Sequence, residues 1–187
     1  MAALHAWMKE AAETTLPNPN AMTLATIDPD GRPSARIVLL RGLDERGAVF
    51  FTNRESRKGL ALETNKVAAL VFHWDSLERQ IRIEGAVEHV SEEESDNYWQ
   101  GRPRGSQLAA RASRQSRPIE DREAFEAACR REEERFEGRD VERPAHWGGY
   151  RVALERIEFW HGMNSRMHDR MIYRAVDGSW ELERLSP

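Results

Sequence analysis

Hydrophobic positions at the start of the chain recur with helical spacing. Leu4, Trp7, Met8 and Ala11 fall at i, i+3, i+4 and i+7, the stripe of a short amphipathic helix. The breaker cluster Leu16-Pro-Asn-Pro-Asn20 ends that pattern. Residues 21–27 then read as a first strand, closed by the turn Asp28-Pro-Asp-Gly31. Residues 35–41 and 48–52 are rich in Val, Leu, Ile and Phe and read as strands. The short polar turn Asp44-Glu-Arg-Gly47 between them predicts that they pair as a hairpin. Ser56 opens and Asn65 closes a short helix over residues 56–64, and residues 67–73 and 80–90 return to strand. From Ser91 to Glu137 the pattern is helical. It starts with the capping box Ser91-Glu-Glu-Glu94, and a later segment places Phe125, Ala128, Cys129 and Phe136 near one face. Residues 150–154 and 157–160 follow as strands, then a last pair, 171–176 and 179–185, around Asp177-Gly178. About seven or eight strands joined by short turns, with helices inserted in the second half, predict a mainly β, antiparallel barrel-like sheet rather than a doubly wound one.

Composition narrows the partners. The chain has 187 residues, with 28 Lys+Arg against 32 Asp+Glu, a net charge of −4 that argues against a general nucleic-acid binder. The longest apolar run, Val67 to Phe72, is far short of the roughly 20 residues that cross a bilayer. Its start lacks the basic and apolar stretches of a secretory signal, and the single cysteine, Cys129, forms no internal disulfide and no thiolate zinc cluster. A cytoplasmic location is the expectation. No G-x-G-x-x-G or Walker A sequence is present. His161 and His168 lack a third ligand at metal-site spacing, so no metal is expected.

Three segments carry candidate chemistry. Asn53-Arg-Glu-Ser-Arg-Lys-Gly59 follows a strand and opens a helix with Ser56, Arg57 and Lys58 in its first turn, reading either as an anion-accepting helix start or as a solvated basic turn. Arg102, Arg104, Arg111, Arg114 and Arg117 follow one another without an intervening acid, which suits small phosphate esters or a polar helix face. Trp160 and the set Arg166, His168 and Arg170 align on one side if residues 166–170 are extended, placing two fixed cations and one titratable imidazole along an edge.

With these residues in view, the sequence resembles the pyridoxamine 5′-phosphate oxidase family from about Ala21 to Pro187. The likeness rests on Arg36-Ile-Val-Leu-Leu-Arg41, Phe51-Thr-Asn53, Ser56-Arg-Lys-Gly59, Arg79-Gln-Ile-Arg82 with Glu84-Gly85, and Tyr98-Trp-Gln-Gly-Arg-Pro103. It continues through Ser106-Gln107, Ser113-Arg-Gln-Ser116, Trp147-Gly-Gly149, Glu158-Phe-Trp160, Arg166-Met-His-Asp-Arg170 and Glu183-Arg-Leu-Ser-Pro187. Each is weak alone; their order over one domain is specific.

The resemblance implies a split β-barrel that binds FMN, with residues 21–187 as a single domain, residues 1–20 as a helix and lead-in, and a homodimer with sites at the interface. It implies that Arg36, Ile37, Val38 and Leu39 run beside the flavin. Phe51, Thr52, Arg57, Lys58, Gln80, Gln115, Ser116, Trp160 and Arg170 would complete the cofactor contacts, some from the partner subunit. Arg41, Tyr98, Arg102 and Ser106 would clamp a substrate phosphate, and Arg166, Met167 and His168 would lie over its ring, with Arg166 and His168 as catalytic residues. The implied reaction passes a hydride from pyridoxamine or pyridoxine 5′-phosphate to the flavin, giving pyridoxal 5′-phosphate, with O2 reoxidising the flavin to yield hydrogen peroxide. Arg41 stands where the family usually has lysine and Phe51 where it usually has tyrosine, and the segment before Ala21 is short beside the family's. The competing readings are an oxidase of the same scaffold acting on another ring, such as a phenazine precursor, and a non-catalytic flavin- or pyridoxal-phosphate-binding protein.

Overall fold

The computed structural model describes residues 1–187, and alternation dictates its main sheet. In β1 (Ala21–Ile27) and β5 (Val67–Trp74) every second side chain is buried, so each strand gives one face to the core. These two pair antiparallel, β1 also pairs with β2 (Pro33–Leu39), and β5 pairs with β6 (Arg79–His89). Beyond β6 the sheet continues through β8 (Arg156–His161), β9 (Asp169–Val176) and β10 (Ser179–Arg184). A second limb holds β3 (Gly42–Asp44), β4 (Gly47–Asn53) and β7 (Trp147–Val152).

The eleven-residue β6 serves both limbs. Its residues 79–84 pair with β8 and its residues 87–89 with β7. Gly85 marks the switch: a Cβ there would run into the carbonyl of Ala153, so the close approach of the two backbones requires glycine. The limbs enclose a core that includes Leu24, Phe50, Leu70, Phe72, Ile83, Tyr150 and Val152. The result is a curled, split antiparallel barrel of ten strands, more than the seven or eight expected.

One expected pairing is wrong. The strand at residues 35–41 does not form a hairpin with the one at 48–52. β2 ends at Leu39, the Leu40 N–H donates to the Asn20 carbonyl, and the Arg41 N–H donates to Val49, so the chain turns a corner there. The hairpin at Asp44–Gly47 is made instead by the short β3 with β4, and β2 is left as an edge strand.

Helix α1 (Ala2–Ala12) sends Leu4 and Ala11 into the same core, with Trp7 edge-on to Phe159 at 5.1 Å. Helix α2 (Arg57–Thr64) starts at Ser56 and stops at Asn65, as its capping residues predict. The helical region resolves into α3 (Glu92–Gln100), α4 (Arg104–Ala112) and α5 (Arg122–Arg135), with the capping box formed at Ser91 and Glu94. No helix is long and apolar enough to cross a membrane.

Candidate active site

The turn from β4 into α2 builds a cation pocket. Asn53 accepts the Glu55 N–H at 2.7 Å, and the buried Ser56 hydroxyl donates to the Asn53 carbonyl while accepting from Gly59, so the helix start is tightly wound. This aims Lys58 inward, where its Nζ donates to Gln115 Oε1 (2.9 Å), Thr52 Oγ1 (3.2 Å) and Ser56 Oγ (3.4 Å). All three partners are neutral. Burial and then the charge of Arg36 bring the Lys58 amine down to about 8. Arg36 reaches across to β1, donating to Thr26 Oγ1 and the Leu24 carbonyl, and to Ser34 Oγ on its own strand. Burial, followed by the opposing influences of Asp28 and Arg57, holds its pKa below the usual arginine value. Arg57 is fixed differently, its Nε and Nη2 both donating to the buried Asp28 carboxylate. Ser116, with φ at +70°, joins Arg57 and Asp28 in lining a neighbouring cavity. A half-buried lysine beside a second cation, with no acid of its own, is a site for an anion.

Next to it stands an aromatic stack. Phe51 stacks with Tyr98, 4.1 Å away and 7° from parallel, and with Trp147, 5.6 Å away and 10° from parallel, and these two rings lie 6.0 Å from one another. The two glycines after Trp147 explain themselves here. A Cβ on Gly149 would come within 2.7 Å of the Phe51 ring, and one on Gly148 would strike the Arg54 guanidinium. Arg102 lies over the Trp147 ring at 4.5 Å and donates to the Ser106 carbonyl. Arg41 sits 5.7 Å from the Tyr98 ring centre. Burial first, then the partly offsetting Tyr98 and the repulsive Arg41, keep the Arg102 pKa down. Neither arginine forms an ion pair. A cavity of about 390 Å³ reaches from Thr52 and Gln115 to Arg102 and Ser106, joining the lysine pocket to this clamp.

A third group lies on the outer face of the sheet. Gln80, Trp160 and Arg170 are directly opposed across β6, β8 and β9 and so form one row. Arg170 donates from Nε to Glu158, a hydrogen bond that raises its pKa. Ile37 is exposed on the same outer face, and β2 leaves its far backbone edge unpaired, while Val38 and Leu39 are half-buried.

Residues 166–168 depart from the expected extended run. Asn164–Arg166 is a single 3₁₀ turn in which Ser165 and Arg166 both have φ at +58°. Two successive non-glycine residues in the left-handed region cost roughly 1–3 kcal/mol each, strain that clusters at functional sites. Only residues 169 and 170 of the predicted edge belong to a strand. His168 instead reaches Trp160 through its ring, 4.6 Å away, and its Nδ1 accepts the Met163 N–H. That bond assigns the proton of the neutral ring to Nε2. Met167 is exposed.

The arginine run also divides. Arg104 donates to the Phe136 and Arg139 carbonyls, and Arg111 to Glu132 and the Glu142 carbonyl, so both tie α4 to the end of α5 and the chain after it. Only Arg102 turns to the cavity; Arg114 and Arg117 are exposed. Asp28 and Glu158 orient cations of the site, a role that the turn at Asp28 and the motif Glu158-Phe-Trp160 do not announce.

Family models match nearly the whole chain: that of pyridoxamine 5′-phosphate oxidase over residues 8–136 and that of the pyridoxine 5′-phosphate oxidase C-terminal dimerisation region over residues 147–187. The pyridoxine/pyridoxamine 5′-phosphate oxidase of Pseudomonas putida is 55% identical over 188 residues, covering 100% of this chain and 87% of that protein. The crystal structure of PhzG from Burkholderia lata in complex with tetrahydrophenazine-1-carboxylic acid superposes with a TM-score of 0.93 at 32% identity, covering 100% of this chain and 91% of that one. A pyridoxamine 5′-phosphate oxidase-related, FMN-binding protein of Nostoc punctiforme shares the fold, with a TM-score of 0.79 at 18% identity over 100% of this chain and 96% of that one. This chain therefore belongs to the pyridoxamine 5′-phosphate oxidase family.

Proposed function

We propose that the protein is an FMN-dependent oxidase that converts pyridoxamine and pyridoxine 5′-phosphates to pyridoxal 5′-phosphate with O2 as acceptor, working as a homodimer. The observation that carries this reading is the pair of linked cation sites that the chain does not neutralise itself: Lys58 with Arg36, and Arg102 with Arg41. Two phosphate esters, one on the cofactor and one on the substrate, match them. FMN, when bound, would supply the two-electron chemistry: hydride acceptance from the substrate and return of the electrons to O2 as hydrogen peroxide.

The side chains supply position and charge. Lys58, Arg57 and Arg36 hold the cofactor phosphate, with Thr52, Gln115 and Ser116 on its polar chain and the free edge of β2 (Arg36, Ile37, Val38, Leu39) beside the ring. Arg102, Ser106, Arg41 and Tyr98 hold the substrate phosphate. In this chain the row Gln80–Trp160–Arg170 lies on the outer sheet face, and it shares no hydrogen bond with the lysine pocket; a second copy brings such a row to each pocket. Arg166 lies over the substrate ring and stabilises charge there, and His168 offers its Nε2–H to a polar group of the substrate. With the amine, hydride loss leaves an imine that water converts to the aldehyde and ammonia. The single free thiol, Cys129, suits a reducing compartment, the cytoplasm.

The test is anaerobic. Adding pyridoxamine 5′-phosphate to the FMN-loaded protein bleaches the oxidised-flavin absorbance, and air restores it. Flavin that stays yellow with this substrate but bleaches with tetrahydrophenazine-1-carboxylic acid, the compound held by PhzG of Burkholderia lata, would move the protein to another ring substrate. Flavin that responds to neither would make it a binding protein. Replacing Arg166 with Leu leaves FMN bound and lowers turnover by about a hundredfold or more; unchanged turnover would remove Arg166 from the mechanism.

A further inference from the structure

Arg170 is held from two sides. Its Nε donates to Glu158 Oε1 at 2.8 Å and its Nη1 to the Ser186 carbonyl at 3.0 Å, while its own carbonyl accepts the Leu185 N–H at 2.9 Å. Nη2 has no partner within the chain. Glu158 is 3% exposed, and its second oxygen accepts from Arg82 at 3.2 Å, so one buried carboxylate lies between two guanidinium groups. Burying a carboxylate costs several kcal/mol before its partners compensate, and an apolar residue on this strand would avoid that cost. What the carboxylate achieves is directional. An arginine free on a sheet surface has about 2 kcal/mol of rotamer entropy to lose on binding, whereas this one, opposite Trp160 in the sheet, is already fixed through Nε and Nη1 with Nη2 left over.

We infer that Glu158 and the Ser186 carbonyl are positioning groups for the cofactor site, acting through Arg170: they pre-set its guanidinium so that Nη2 meets the bound flavin nucleotide. This rests on the FMN reading above. It gives a role to two stretches whose function the family likeness leaves unassigned, the glutamate of Glu158-Phe-Trp160 and the closing Leu185-Ser-Pro187.

The test is a double-mutant cycle read by FMN fluorescence quenching, with the melting temperature of the ligand-free protein measured alongside. Glu158→Gln, which keeps shape and one acceptor, weakens FMN binding about tenfold in the unaltered background and less than about twofold in Arg170→Met. Deleting Ser186 and Pro187 gives a smaller loss, about threefold, with the same dependence on Arg170. That deletion keeps the inference testable if Glu158→Gln does not fold. Equal losses in both backgrounds, or a loss matched by a lower melting temperature of the ligand-free protein, would overturn the inference in favour of a structural carboxylate. Unchanged FMN affinity in both variants would overturn it outright. If the unaltered protein binds no FMN, the flavin reading fails as well, an outcome separate from normal binding that ignores Glu158.

Discussion

The arginines of the outer rim and the cations of the cavity are built on opposite principles. On the rim, Arg151 is 3% exposed and donates to Asp44 and Glu94, and Arg143 donates to Asp96, to Glu92 and to the Trp147 carbonyl. In the cavity, Lys58 and Arg102 are drawn out of water and meet only neutral oxygens and aromatic faces. The rim charges are spent on holding α3 and β3 against β7. The cavity charges are left for something that arrives from outside, and burial together with Arg36 lowers the Lys58 pKa to about 8.

Substitutions should separate the two groups. The largest effect is expected at the clamp: Arg102→Met lowers kcat/KM for pyridoxamine 5′-phosphate by about a thousandfold, with FMN affinity within twofold of normal, as steady-state rates and a flavin titration would show. Lys58→Met weakens FMN binding by about a hundredfold yet raises the melting temperature of the ligand-free protein, since it removes a half-buried charge with no acidic partner.

Lys58 also predicts a pH dependence. Its folded pKa of about 8 lies below the usual 10.5, so between those values the unfolded chain binds more protons. Stability of the ligand-free protein therefore rises as the pH climbs from about 8 to 10.5, while FMN binding weakens as the charge is lost. Denaturant titrations across that range, with and without the lysine, check both signs.

On the rim the pattern reverses. Arg151→Met costs about 2 kcal/mol of stability, less than a fully buried pair because its acids are partly exposed, and leaves FMN affinity unchanged. A rim substitution that altered flavin binding would collapse the distinction. The smallest change is expected for Arg41→Lys, which keeps the charge and gives up the guanidinium contact with Tyr98. KM should move by less than about threefold.

Much of this was legible in the chain because the signals were local. Ser56, Asn65 and the Ser91–Glu94 box state where helices begin and end, and the alternation in residues 21–27 and 67–73 states which side faces the core. The hairpin expectation failed because a three-residue strand such as β3 is too short to announce itself, and the corner at Leu40 depends on bonds to Asn20 and Val49 that no local pattern records. The site follows the same rule. Thr52 and Lys58 lie close along the chain, but the Gln115 that meets them is 57 residues beyond Lys58. Arg111 looked available as a ligand because its acid, Glu132, is 21 residues further on, across the α4–α5 turn. The left-handed pair Ser165–Arg166 had no glycine or asparagine to mark it.

The switch at Gly85 bears on how such a protein is free to vary. Because one continuous strand belongs to both limbs, the angle between the sheet carrying Gln80 and the limb carrying Phe51 and Thr52 is written into the backbone of β6 and not into the loops. A turn such as Asp177–Gly178 is then open to lengthening and drift without disturbing that angle. Replacement of one hydrogen at Gly85 by a methyl group would shift that angle throughout the molecule. Heritable variation should accumulate in the connections and stop at this strand.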